Sequence, residues 1–156
     1  MNANLTFTKY NLPNLVKMIS CLTSTGKITR TNTGYIYADI DNEFIHRSFA
    51  LLKNTLDINI QKPDYFSLDT DFIGAHISLV YPEENQTSEA DFFDAQCHFS
   101  VEDIFSTVLD SKTYYGLKIV SQDITQFRKN LGLPEFLSIK GHTVFPHITI
   151  AVSKDT

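Results

Sequence analysis

The chain has 156 residues and a formal net charge of −5, with 42% hydrophobic and 20% charged residues. That length suits one domain or two small lobes sharing an interface, and no apolar run is long enough to span a membrane as a helix. The acidic balance argues against gripping a long duplex, where basic surface supplies most of the affinity. It leaves a nucleotide, a short oligonucleotide or one RNA end as partner. The opening stretch MNANLTFTKYNLPNLVKM lacks the basic, apolar, small-residue order of a signal peptide. Cys21 and Cys97 have no metal-ligand spacing, so both are expected as reduced thiols, buried as small residues, in a cytoplasmic, monomeric protein.

Residues 12–22 place Leu12, Leu15, Val16, Ile19 and Leu22 at helical spacing, with Pro13 in the first turn. The Thr-, Ser- and Gly-rich run TSTGKITRTNTG reads as a loop or short hairpin, and YIYADI (35–40) as a strand. Asp41 is suited to cap a helix over 42–56, with Phe44, Ile45, Phe49, Leu52 and Leu56 on one face. A polar connection with room for a short strand follows, then the strand FIGAHISLVY, stopped by Pro82, and the charged loop PEENQTSEAD. Ala95, Cys97, Phe99 and Val101 alternate as a strand with a bend expected near Glu102. Residues 113–121 are its expected hairpin partner. Ser121 is placed to cap a helix carrying Ile124, Phe127 and Leu131, with Gly132 at its end. PEFLSIKGHTV reads as a loop, and FPHITIAV as the closing strand.

Two halves therefore repeat one order, strand, helix, strand, and each ends on His-apolar-Ser/Thr-apolar. The expectation is an α+β fold: a single bilobal domain with antiparallel sheets around a central groove. Its limits are an N-terminal extension over 1–33, a first lobe over 34–93 and a second over 94–156. The basic residues Lys118, Arg128, Lys129 and Lys140 are either pocket-lining groups or ordinary solvated charges.

Four of the five histidines precede Ser or Thr by two positions, so spacing alone selects nothing. His46 and Ser48 fall on a helix, where such positions point about 200° apart. His98 and Ser100 share the outer face of a strand whose core face is Cys97, Phe99 and Val101. His76 with Ser78, and His147 with Thr149, differ: each pair projects from one strand face while Ile77/Leu79 and Ile148/Ile150 anchor the other. Two such histidines flanking a scissile bond make a general base and a general acid, and the hydroxyls can donate to a developing oxyanion. A zinc site would need more ligands; His142 is one candidate, and no Cys or carboxylate has matching spacing.

Paired HISL and HITI, near-equivalent ends of two strand-helix-strand halves, resemble the H-x-S/T-x motifs of the 2H phosphoesterase superfamily, the group of 2′-5′ RNA ligase-like and cyclic phosphodiesterases. The Pro before His147 adds to the likeness, which covers roughly residues 35–152. The resemblance implies a bilobal fold with a central groove and metal-independent cleavage of 2′,3′-cyclic phosphates, 2′-5′ linkages or small cyclic nucleotide phosphodiesters, with no cofactor. It implies His76 and His147 as the acid/base pair and Ser78 and Thr149 as phosphate-binding groups. Tyr81 and Phe145 are the best-placed aromatics for a base, then Tyr35, Tyr114 and Tyr115; Lys140 and His142 stand where a phosphate could be met. A non-catalytic nucleotide-binding module on the same fold is the alternative, with a structural domain carrying chance motifs as a third reading.

Overall fold

The computed structural model describes residues 5–31, 33–56, 59–63, 74–84 and 95–153. In chain order the elements are β1 (Phe7–Tyr10), α1 (Pro13–Ile19), β2 (Thr25–Arg30), β3 (Ile36–Asp39), α2 (Glu43–Leu56), β4 (Ile60–Gln61) and β5 (His76–Val80). A 3-10 turn (Pro82–Glu84), β6 (Gln96–His98), β7 (Ser100–Leu109), β8 (Lys112–Val120) and α3 (Gln122–Asn130) follow. The described chain ends with β9 (Leu137–Ile139), β10 (His142–Val144) and β11 (His147–Ser153). The fold is α+β, and every strand pairing is antiparallel. One sheet has the order β1-β7-β8-β11-β4, a second β5-β3-β2-β6, and β9 and β10 form a separate hairpin.

The helices form where apolar spacing and caps agree. In α2, Phe44, Ile45 and Leu52 are buried while Phe49 and Leu56 pack at the margin, and the Asp41 carboxylate accepts from the Glu43 amide at 2.9 Å. In α3 the Ser121 hydroxyl accepts from the Ile124 amide at 3.1 Å, and Gly132 takes φ +76° just past the end. The bend near Glu102 is a register shift between Val101 and Asp103 in the β7–β8 pairing, a β-bulge. Each of these two helices leaves one sheet and packs on the other. The helix α2 follows β3 but lies on β11, and α3 follows β8 but lies on β6 and β5. One apolar cluster results, running from Leu15 of α1 through Phe44 and Ile77 to Leu117 and Ile148.

The run read as a loop or short hairpin contains β2, an interior strand of the second sheet that turns back antiparallel onto β3. Gly26, which reads as a turn signal, is required there by close packing: a Cβ would come 2.8 Å from Ala38 Cβ. The loop expected before FPHITIAV is the β9–β10 hairpin, turned by Lys140 at φ +50° and Gly141 at φ +78°. Paired positive φ values in a two-residue turn match the strand twist, and an Asn-Gly or Asp-Gly signature was absent. Cys21, expected as a buried thiol, is exposed, and Cys97 is buried. The N-terminal stretch supplies β1 and β2, one to each sheet, and β6 joins the sheet of β2 and β3 despite lying after residue 93. Strand pairing joins distant segments, so the order of elements did not reveal it. Of the connection 57–71 only residues 59–63 are described, and the loop PEENQTSEAD lies outside the described residues beyond its 3-10 turn. No described helix is long and apolar enough to cross a membrane.

Arg128, read as a solvated or pocket-lining charge, is wholly buried. Its Nη1 and Nη2 grip the buried Glu84 carboxylate at 3.1 and 2.7 Å. The same guanidinium donates to the carbonyls of Leu79, Pro134 and Phe136 at 2.8–2.9 Å. Glu84 in turn accepts from the amides of Tyr81 and Ser138. Arg128→Ala strands this carboxylate in the interior and is expected to cost about 3–5 kcal/mol in urea unfolding. Replacing both partners with apolar residues of similar volume should recover a large part of that loss.

Candidate active site

The two motif strands lie against each other, β5 at the edge of its sheet and β11 inside its own. Ile77, Leu79, Ile148 and Ile150 are fully buried, while His76, His147 and Thr149 are half-buried on the opposite faces. The alternation written in each motif is therefore what aims the polar groups.

Both imidazoles are held the same way. His76 Nδ1 lies 2.8 Å from the Gly74 carbonyl, and His147 Nδ1 lies 2.9 Å from the Phe145 carbonyl. A carbonyl only accepts, so Nδ1 carries a proton in each ring and Nε2 is the basic atom of the neutral form. The Gly74 carbonyl is itself fixed. Asn42, at the start of α2, accepts from the Ala75 amide at 2.9 Å, and a side chain on Gly74 would collide with that carboxamide. His76 meets Tyr35 and Tyr37 edge-on at 6.0 and 5.6 Å, and His147 meets Phe105 edge-on at 5.8 Å.

Burial lowers the pKa of both histidines, and in each the carbonyl bond at Nδ1 works partly against that shift. The charge of His147 lowers His76 further, so the two rings are within electrostatic reach and resist double protonation.

Ser78 is buried and lines none of the clefts described below. It shares a 2.5 Å hydrogen bond with the Tyr35 hydroxyl and lies near enough to the Tyr81 phenol to work against the upward shift of that group. The Tyr35 ring stacks between Tyr37 at 5.4 Å and Tyr81 at 6.0 Å. Burial pushes both the Tyr35 and Tyr81 phenols up, so they stay protonated donors at any working pH.

His147, Thr149 and Tyr81 line one pocket of about 200 Å³, with Phe105, Tyr114, Tyr115 and Lys140 among its other walls. Gly116, directly across from Thr149, keeps it open: a Cβ there would come within 2.7 Å of the Phe105 ring. Lys140 reaches the pocket from the β9–β10 turn, but its ammonium is bound to Asp110 at 2.6 Å. Tyr35 stands behind Ser78 and is not among the pocket walls. Phe145 packs between Phe7 and Phe105 at 4.7 and 4.9 Å and borders a different cleft. His142 lines a separate surface depression with Thr6, Thr8 and Val108. Phe105 and Tyr37 were not singled out by the sequence, since only strand register brings them to the histidines. The remaining histidines are elsewhere: His46 Nδ1 accepts from Lys62 at 2.8 Å, and His98 Nδ1 lies 3.2 Å from the Thr25 hydroxyl. Among the described residues no three His, Cys, Asp or Glu side chains cluster as metal ligands.

Comparison with known proteins bears on this geometry. A family model described as 2H-SAK, the Swiss Army Knife 2H phosphoesterase domain, matches residues 36–156. No curated protein and no solved structure gives a significant match. The match takes in both motif strands and most of the chain, and the protein belongs to the 2H phosphoesterase superfamily.

Proposed function

We propose that the protein is a phosphodiesterase in which His76 and His147 act as an acid–base pair on a nucleotide phosphodiester. The substrate is a 2′,3′-cyclic phosphate, a 2′-5′ linkage or a small cyclic or linear oligonucleotide. One observation carries the reading: two imidazoles on adjoining strands, each with Nδ1–H fixed on a backbone carbonyl, so that each ring works through Nε2. One neutral Nε2 takes the proton of the attacking water or ribose hydroxyl, whose oxygen bonds to phosphorus. The phosphorus–oxygen bond to the leaving group breaks, and the other ring's Nε2–H delivers a proton to that oxygen. The negative phosphate favours the one imidazolium the mechanism needs, while the mutual repulsion of the rings disfavours two.

Donors for the non-bridging oxygens come from both motifs. Thr149 lines the pocket beside His147. Next to the other motif strand, Tyr81 lines the pocket with Ser78 near its phenol. A chain in which Tyr35 donates to Ser78, Ser78 to Tyr81 and Tyr81 to the phosphate satisfies every hydroxyl once and polarises the last. The aromatic walls Tyr81, Tyr114, Tyr115 and Phe105 suit a base, whose stacking on a side chain contributes about 1–3 kcal/mol.

The test is a panel of 2′,3′-cyclic nucleotides, 2′-5′ and 3′-5′ oligonucleotides and cyclic dinucleotides, incubated in EDTA. At least one is expected to be cleaved, and His76→Ala and His147→Ala should each abolish turnover. Turnover surviving in both variants would sink the roles; loss of activity in EDTA would sink the metal-free mechanism; binding of a candidate without cleavage of any would make the domain a nucleotide-binding module.

Both histidines titrate below the ordinary value of about 6.5, so the bell-shaped profile of kcat/KM should centre on the acid side of that value. The sign for stability is the same. Below about pH 6.5 the unfolded chain binds these protons more readily, so their contribution is lost as pH falls toward the folded values. Finally, Tyr81→Phe and Ser78→Ala should each lower kcat by about 10²-fold with KM little moved. The double variant should be no worse than either, as expected of two links in one chain.

A further inference from the structure

The groove face extends past His147 on the side away from the aromatic pocket. In the β8–β11 register Lys118 stands directly across from His147, and directly opposed residues share a face. Its ammonium lies 5.0 Å from the centre of the Phe145 ring and 3.8 Å from Glu102, a loose pair with both side chains partly exposed. Immediately beyond is a second cleft of about 420 Å³. Phe145, Pro146 and Phe136 are among its apolar walls, and Lys118, Glu102, Glu135, Gln122 and Thr125 among its polar ones. Phe136 is 47% exposed, while its carbonyl accepts from the wholly buried Arg128.

We propose that this cleft is a nucleoside subsite, so that the substrate carries a nucleoside on each side of the phosphodiester and Lys118 neutralises the phosphate between them. The proposal rests on the reading of His147 as a group at the reacting phosphate. Charge decides the occupant. Glu102 and Glu135 outnumber Lys118 in the lining, which disfavours a second phosphate there, and carboxylates accept well from the amino group of a base or the hydroxyls of a ribose. The open Phe136 face offers the stacking surface that any base can use. A mononucleoside 2′,3′-cyclic phosphate would fill the aromatic pocket and leave this cleft empty.

Equilibrium binding separates this from the catalytic reading, because it needs no turnover. The probes are a 2′-5′-linked diadenosine phosphorothioate and adenosine 2′-monophosphate, titrated calorimetrically into the wild-type protein, Phe136→Ala and Lys118→Ala. The wild type should hold the dinucleoside at least tenfold more tightly. Phe136→Ala should bring the two affinities together, whereas Lys118→Ala should weaken both probes, which share the phosphate, by a similar factor. Equal wild-type affinity for the two probes, binding of neither, or a preference that survives Phe136→Ala would overturn the subsite. Tight dinucleoside binding that behaves as expected, without cleavage of any phosphodiester, would overturn the catalytic reading and leave the subsite standing.

Discussion

A single buried ion pair holds the walls of the candidate site in register. Arg128 reaches from α3 to Glu84, just past the first motif strand, and spends its remaining donors on the carbonyls of Leu79, Pro134 and Phe136. Glu84 completes the arrangement by accepting from Tyr81 and Ser138. The end of β5, the pocket aromatic Tyr81 and the root of the β9–β10 hairpin are thereby fixed to one planar group. A guanidinium suits this role because its five N–H donors lie in a rigid fork, and all of its charge is answered where water cannot reach. Lysine in its place would leave most of these carbonyls unsatisfied.

Around that fixed point the site is made by alternation. Four isoleucine and leucine side chains, two per motif, are fully buried, and each contributes about 1.5–3 kcal/mol by leaving water. A one-residue slip of either strand would turn its histidine into the core and its isoleucines into the groove, so the apolar face specifies where the chemistry sits. The carbonyls at Gly74 and Phe145, each two residues before a histidine, then select the same tautomer twice.

Much of this was legible in the sequence, for physical reasons that can be named. The motif strands were visible because period-two alternation is a direct consequence of pleating, and α2 and α3 because their apolar stripes start at Asp41 and Ser121, residues that cap. What escaped notice depended on partners distant in the chain. Gly26 reads as a turn until Ala38 is seen packed against it, and Arg128 reads as a surface charge until Glu84 is found facing it. Ser78 and Thr149 look equivalent by spacing, yet one is buried and bonded to the Tyr35 phenol while the other lines the pocket. Ser48, in a third His-apolar or polar-Ser triplet, is buried with no hydrogen-bond partner for its hydroxyl among the described residues.

The exchange of helices between sheets has its own consequence. Because α2 leaves one sheet to pack on β11, and α3 leaves the other to pack on β5 and β6, separating the sheets would tear both helices from the shared core. The contact between β5 and β11 is thus a seam rather than a hinge, and the spacing of the two imidazoles is set when the chain folds. Adaptation then falls to the ligand: a flexible phosphodiester must bend to a geometry already waiting, and the entropy of that bending is lost by the small molecule and not by the protein.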